Sequence, residues 1–182
     1  MTKTSIIAAC FVAGTLLAAG LNLNLRAASS SPASLEGKPA PAIKLTTING
    51  RELSLADQRG KVVLIDNWAT WCPPCKASLP HIQQLSTDKS LADKGLVVWA
   101  VDAQESKATV ERFLDENHYT FTVLMDEKGA TLQHYFVSGI PTTIIVGRDG
   151  TVKKTIVGYS GEATAKQIDS AINAALAESS PH

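Results

Sequence analysis

Val62-Val63-Leu64-Ile65-Asp66-Asn67-Trp68-Ala69-Thr70-Trp71-Cys72-Pro73-Pro74-Cys75-Lys76 is a run in which an apolar strand leads through a short turn into two closely spaced thiols. Four apolar residues in succession, three of them β-branched, are the mark of a strand covered on both faces. From Lys76 to Leu85 the pattern changes to that of a helix. The cysteines therefore lie on the first turn of a helix at the end of a buried strand. Free backbone N–H groups and the helix dipole favour a thiolate there.

Two cysteines three apart on one helical turn are close enough to bridge without moving the backbone, so the pair can alternate between dithiol and disulfide. Cys72, at the helix N-terminus, is the expected attacking thiolate; Cys75, one turn in, is the expected resolving thiol. Pro73 and Pro74 have no N–H, so the loop offers the Cys72 sulfur fewer donors than other residues would. A less stabilised thiolate and a more reducing pair follow. A structural zinc site needs four ligands, and no second Cys pair accompanies this one. His81, His118 and His134 are too scattered to complete such a site, so no metal is expected.

The chain has 182 residues, 45% of them apolar, and a formal net charge of zero. That length supports one domain with a real core. Neutral charge, few aromatic residues and no basic stripe give no reason to expect nucleic acid as a partner.

From Ile6 to Leu25 the sequence carries no charge, with Lys3 before it and Arg26 after it. Such a segment, about 20 residues long, reads as an export signal, either a cleaved signal peptide or a membrane anchor. Ala18-Ala19-Gly20 provides small residues for cleavage. Residues 1–26 are assigned to this leader, which places the remainder outside the cytoplasm, in the periplasm or at the outer face of the membrane. Cys10 is read as a small apolar residue of the leader. Residues 27–39, rich in Ala, Ser and Pro, are expected to form a flexible linker, and 40–180 the folded domain.

Ile43-Lys44-Leu45 and Glu52-Leu53-Ser54, separated by Asn49-Gly50, predict a hairpin. After the cysteine helix, expected to kink at Pro80, Leu96 to Val101 is a second unbroken apolar strand. Ser106 caps a helix running to about Asn117. Strand-helix-strand-helix order implies parallel crossovers. Phe121 to Met125 reads as a short strand, followed by a helix to about Phe136. Thr143 to Val146 and Val152 to Val157, joined by Arg148-Asp149-Gly150, predict an antiparallel pair. A last helix is expected from Glu162 to Ala177, with Ile168, Ile172 and Leu176 on one face.

With these elements in place the chain resembles the thioredoxin superfamily, in its exported branch of TlpA-like and ResA-like thiol-disulfide oxidoreductases. The resemblance rests on Trp68-Ala69-Thr70-Trp71-Cys72-Pro73-Pro74-Cys75, on Pro80, and on Val137-Ser138-Gly139-Ile140-Pro141-Thr142-Thr143. It implies an α/β thioredoxin-like fold, a central mixed sheet with helices on both faces, here extended by the N-terminal hairpin. It also implies a cis Ile140-Pro141 peptide facing the cysteines. Ile140 backbone groups would then be free to pair with an extended substrate segment, beside Trp71, Pro73, Pro74 and Pro141 as the substrate-binding surface.

Many exported relatives carry a glutamate three residues after the second cysteine, where this chain has Ser78. Asp66, six residues before Cys72, matches the buried aspartate of cytoplasmic thioredoxins. Asp66 is therefore expected to take over the missing carboxylate's role, with a pKa raised by desolvation, accepting the Cys75 proton. Asn67, where relatives often have an aromatic residue, has no explanation at this level.

The expected activity is dithiol-disulfide exchange with protein thiol and disulfide substrates, without organic cofactor or metal. The resemblance implies a reductant fed by a membrane thiol carrier, with apocytochrome c or copper-site cysteines as clients. Two other readings are a thiol peroxidase and a copper chaperone. The first needs a Thr and an Arg near the reactive cysteine, and no arginine stands before Cys72. The second would ordinarily add a dedicated His or Met, and Met125 has no motif around it.

Overall fold

The computed structural model describes residues 31–179. The leader assigned to residues 1–26 lies outside them. Among the described residues, no helix is long and apolar enough to cross a membrane.

Seven strands form one sheet: β1 (Lys44–Thr47), β2 (Glu52–Ser54), β3 (Val62–Trp68), β4 (Leu96–Ala103), β5 (Thr122–Asp126), β6 (Thr142–Val146) and β7 (Val152–Val157). Their spatial order is β2-β1-β5-β4-β3-β6-β7. The strands β3, β4 and β5 are parallel, and the remaining pairings are antiparallel. Among the described residues, five α-helices connect or flank them: α1 (Pro73–Thr87), α2 (Lys89–Asp93), α3 (Lys107–Asn117), α4 (Ala130–His134) and α5 (Glu162–Ala177). This is the mixed sheet, with its N-terminal hairpin, that the sequence implied.

β3 is the axis of the sheet, and all seven of its residues are buried. Side chains alternate along it. Leu64 and Trp68 belong to the face packed by α1, α3 and α5 through Leu79, Ile82, Val110, Leu114, Ile168 and Ile172. Val63 and Ile65 belong to the other face, with Trp99, Ile144 and Tyr135, the residue that ends α4. Each fully buried aliphatic side chain contributes about 1.5–3 kcal/mol. With apolar layers on both faces, the strand persists through Asp66 and Asn67, which pair in register with β4 and β6 on either side.

Helix α1 runs from Pro73 to Thr87, with Pro80 inside it. Proline there removes the amide that would bond the Lys76 carbonyl and crowds that carbonyl with its ring, and burial of Leu79 and Ile82 on the same turn holds the helix on the sheet. A further short helix, α2, follows, its start capped by the Asp88 carboxylate accepting the Leu91 N–H. The largest change concerns the linker assigned to residues 27–39.

Residues 32–39 are part of the fold. Pro32–Leu35 forms a 3-10 turn with Pro32 buried, and Glu36 and Pro39 bridge to Val152 and Thr151 at the free edge of β7. Gly37 N–H donates to the Val152 carbonyl and Val152 N–H to the Lys38 carbonyl. Glu36 Oε1 accepts the Thr155 N–H at 2.9 Å and lies 3.3 Å from Lys154 Nζ. The segment's composition is that of a tether, but an unpaired sheet edge supplies it with backbone partners. A chain beginning at Ala40 is therefore expected to be less stable than one beginning at Ser31. The lost backbone bonds and Pro32 burial amount to about 2 kcal/mol. Urea midpoints of the two proteins check this, and equal midpoints would mean that the segment contributes nothing.

Candidate active site

The site forms where β3 and β6 meet the start of α1. Cys72 is the N-cap of α1 and Pro73 its first residue, the position where a missing N–H costs nothing. The two cysteines form a disulfide, with Cα atoms 5.2 Å apart. Cys75 N–H donates to Cys72 Sγ at 3.2 Å, so this sulfur takes the place of a capping oxygen. Pro73 and Pro74 donate nothing, and among the described residues this amide is the sole N–H donor to Cys72 Sγ.

Cys72 is 3% exposed and Cys75 fully buried, so a partner reaches the pair through Cys72. Beside them Trp71 is 65% exposed. The Ile140-Pro141 peptide is cis, and the Ile140 carbonyl oxygen lies 3.6 Å from Cys72 Sγ. The expected neighbours Trp71, Pro73, Pro74, Ile140 and Pro141 are thus brought to one end of the molecule with both thiols. Val157, also exposed, pairs in register with Thr142, next to Pro141.

Asp66 lies on β3 two residues from Trp68, on the face covered by α1. It is fully buried, and its pKa is pushed up to about 7 by loss of solvation, partly opposed by a hydrogen bond from the Thr143 hydroxyl. That hydroxyl donates to Oδ1 at 2.7 Å, and Oδ2 has no protein partner. The raised pKa agrees with the sequence reading. Ser78 is buried, and its hydroxyl donates to the Cys75 carbonyl at 2.8 Å, so no carboxylate stands in that place.

Asn67 now has an account. Its side chain faces the opposite side of β3 and donates through Nδ2 to the Thr142 carbonyl at 3.2 Å, tying β3 to the residue after Pro141. An aromatic residue there would bury more area but could not make this bond. The sequence also gave no hint of Glu105, whose carboxylate accepts from both the N–H and the O–H of Thr70. Thr70 and Glu105 are 35 residues apart, and only the β3–β4 register brings them together. With its hydroxyl engaged by Glu105, Thr70 is not disposed as the hydroxyl partner that a peroxidatic cysteine requires. Among the described residues, no cluster of three or more His, Cys, Asp and Glu side chains is arranged to hold a metal ion.

Comparison with known proteins agrees with this geometry. The family model described as Redoxin matches residues 35–172. The chain is 35% identical over 131 residues to the thiol-disulfide oxidoreductase ResA of Geobacillus thermodenitrificans, covering 72% of this chain and 74% of that protein. It is 40% identical over 126 residues to the thioredoxin-like protein YneN of Bacillus subtilis, covering 68% and 72%. Among solved structures, one assigned as a thiol:disulfide interchange protein DsbE from Chlorobium tepidum superposes with a TM-score of 0.70 at 35% identity. That match covers 76% of this chain and 95% of the other.

Proposed function

The chain belongs to the redoxin family as a thiol-disulfide oxidoreductase, and we propose that it works outside the cytoplasm as a reductant of protein disulfides. Cys72 thiolate attacks one sulfur of a client disulfide. A Cys72–client bond forms while the client's own S–S bond breaks, and the second client sulfur leaves as a thiolate that takes a proton from solvent. Cys75 then gives its proton to Asp66 and attacks Cys72 Sγ, closing the intramolecular disulfide and releasing the other client thiol. Two electrons pass to the client, and the oxidised pair is the product state of that cycle.

The observation that most supports the reducing direction is the donor set at Cys72. A thiolate there receives one backbone N–H, from Cys75, because Pro73 and Pro74 have none to give. Fewer donors leave the Cys72 thiolate of the reduced pair less stabilised, which lowers the reduction potential. An extended client segment fits against Trp71, pairing with the free backbone of Ile140 as an added strand. The uncharged stretch from Ile6 to Leu25 supports export, with a membrane thiol carrier as electron donor. Cysteines that must be reduced before haem or copper is inserted are the proposed clients.

Equilibration of the Cys72–Cys75 pair with defined thiol buffers tests the direction. A reductant is expected to have a potential of about −250 mV or lower. A value near about −120 mV would make the protein an oxidant that inserts disulfides, and would overturn the proposal.

A further inference from the structure

Glu105 makes two short contacts with the turn that presents the cysteines, and nothing in dithiol exchange as described above uses it. Its Oε2 accepts the Thr70 N–H and its Oε1 the Thr70 hydroxyl, both at 2.6 Å. Two parallel bonds to an ionised carboxylate are the strong, orientation-fixing kind. Thr70 lies beyond the end of β3, so no strand partner is available to its amide. Trp71 follows it, largely exposed, and then Cys72, whose N–H returns to the Ala69 carbonyl at 3.3 Å. The turn from Ala69 to Cys72 is therefore held by its own Cys72–Ala69 bond and, at Thr70, by one carboxylate.

The fold fixes that carboxylate from its other side. β4 ends at Ala103, and Gln104 turns the chain with φ 67°, a left-handed conformation that costs a non-glycine residue on the order of 1 kcal/mol or more. The Gln104 side chain packs over Gly129, where a Cβ would come within 2.9 Å of it. Glu105 N–H then donates to Asp102 Oδ2 at 2.9 Å, and Asp102 is itself fully buried. A strained residue, a glycine that leaves room for it and a buried carboxylate together aim one side chain at Thr70. An ordinary surface loop would not need that arrangement.

We propose that Glu105 is a positioning residue of the redox site: by holding both donors of Thr70 it sets Trp71 and Cys72 for a polypeptide substrate, and so selects protein disulfides over small ones. The proposal rests on Cys72 being the attacking thiol. A small disulfide needs only access to Cys72 Sγ, whereas a protein segment must also lie along Trp71 and the Ile140 backbone. Loosening the turn therefore penalises the larger substrate.

The test compares the full chain with Glu105→Ala, Glu105→Gln, Thr70→Ala and the Glu105→Ala/Thr70→Ala double variant, using insulin and bis(2-hydroxyethyl) disulfide as substrates. Glu105→Ala is expected to lower kcat/KM for insulin by about 10-fold, chiefly through KM, and to leave the small disulfide within about two-fold. Glu105→Gln, which keeps an acceptor for one Thr70 donor, should fall between. Thr70→Ala, which loses the hydroxyl but keeps its N–H on Glu105, should also fall between, and the double variant should be no worse than Glu105→Ala alone. Equal losses on both substrates, no loss on either, or full additivity in the double variant would overturn the proposal. Glu105→Gln retains the shape of the site and keeps the test decisive should the alanine variant fold poorly. Loss of both activities in Cys72→Ser checks the underlying assignment separately.

Discussion

Replacing Cys72 with serine is expected to lower disulfide reduction by at least about 10³-fold, whereas Cys75→Ser leaves the first attack intact and stops after it. The two thiols differ in what reaches them. Cys72 caps α1, has the helix N-terminus and the Cys75 amide to favour its thiolate, and is the one with any exposure. Cys75 is enclosed between α1 and the sheet, and can attack only a sulfur already brought to its neighbour. Cys75→Ser should therefore accumulate a covalent enzyme–client adduct, visible as a mass increase that a small thiol reverses. Multiple turnover by Cys75→Ser, or an adduct formed equally well by Cys72→Ser, would exchange the assigned roles.

Asp66→Asn should have two effects of opposite sign. The first is kinetic: without a carboxylate to accept the Cys75 proton, resolution of the adduct slows by on the order of 10²-fold near neutral pH. The wild-type rate rises as pH passes through about 7, where Asp66 ionises, and that rise disappears in the variant. The second is thermodynamic. The folded-state pKa is raised to about 7 from 3.8, so the folded protein binds a proton that the unfolded chain has released between those values. Stability from this group is fully present below about pH 4 and is lost as pH rises to about 7, with the cost constant above that.

A shift of that size is worth up to about 4 kcal/mol. Asp66→Asn should thus be more stable than wild type at pH 8 and nearly equal to it at pH 4. Denaturant midpoints at the two pH values measure this. The comparison must be with wild type at each pH, because Asp102 is also pushed up, by burial first and then by the nearby Glu105 carboxylate, and titrates in both proteins. A variant no more stable at pH 8 and unchanged in its rate profile would leave Asp66 as a passive strand residue. A variant that is both more stable and slower would show activity maintained at the expense of stability.

The fold was legible because its central strands are unbroken apolar runs. Val62 to Ile65, Leu96 to Val101 and Thr143 to Val146 have too little polarity to be anything but interior strands. The final helix runs from Glu162 to Ala177 as its spacing indicated, since Ile168 and Ile172 recur on one face. Local chemistry also located the cysteine pair, where proline, cysteine and a helix start coincide within five residues. Contacts between distant segments were less legible. The Glu105–Thr70 bonds depend on the alignment of β3 with β4, and the Asn67–Thr142 bond on that of β3 with β6. No local pattern in the chain encodes either alignment. Residues 32–39 read as linker for a related reason: small and polar residues without periodicity have no fold alone, and here their backbone amides and carbonyls are used by the edge of β7.

That covered edge bears on how the domain avoids pairing with other chains. An open edge strand is a template on which another chain can pair, and β7 lies at such an edge with Val152, Thr155 and Ile156 buried and Lys153 and Lys154 adjacent between them. Residues 36–39 occupy part of its hydrogen-bonding face, so the chain itself shields the strand from neighbouring molecules. A protease cutting just after Pro39 would free this shield and leave β7 partly bare. The cleaved domain, with its redox site untouched, would then be prone to self-association through strand pairing. The segment that leads into the domain would on this view act as its guard against aggregation.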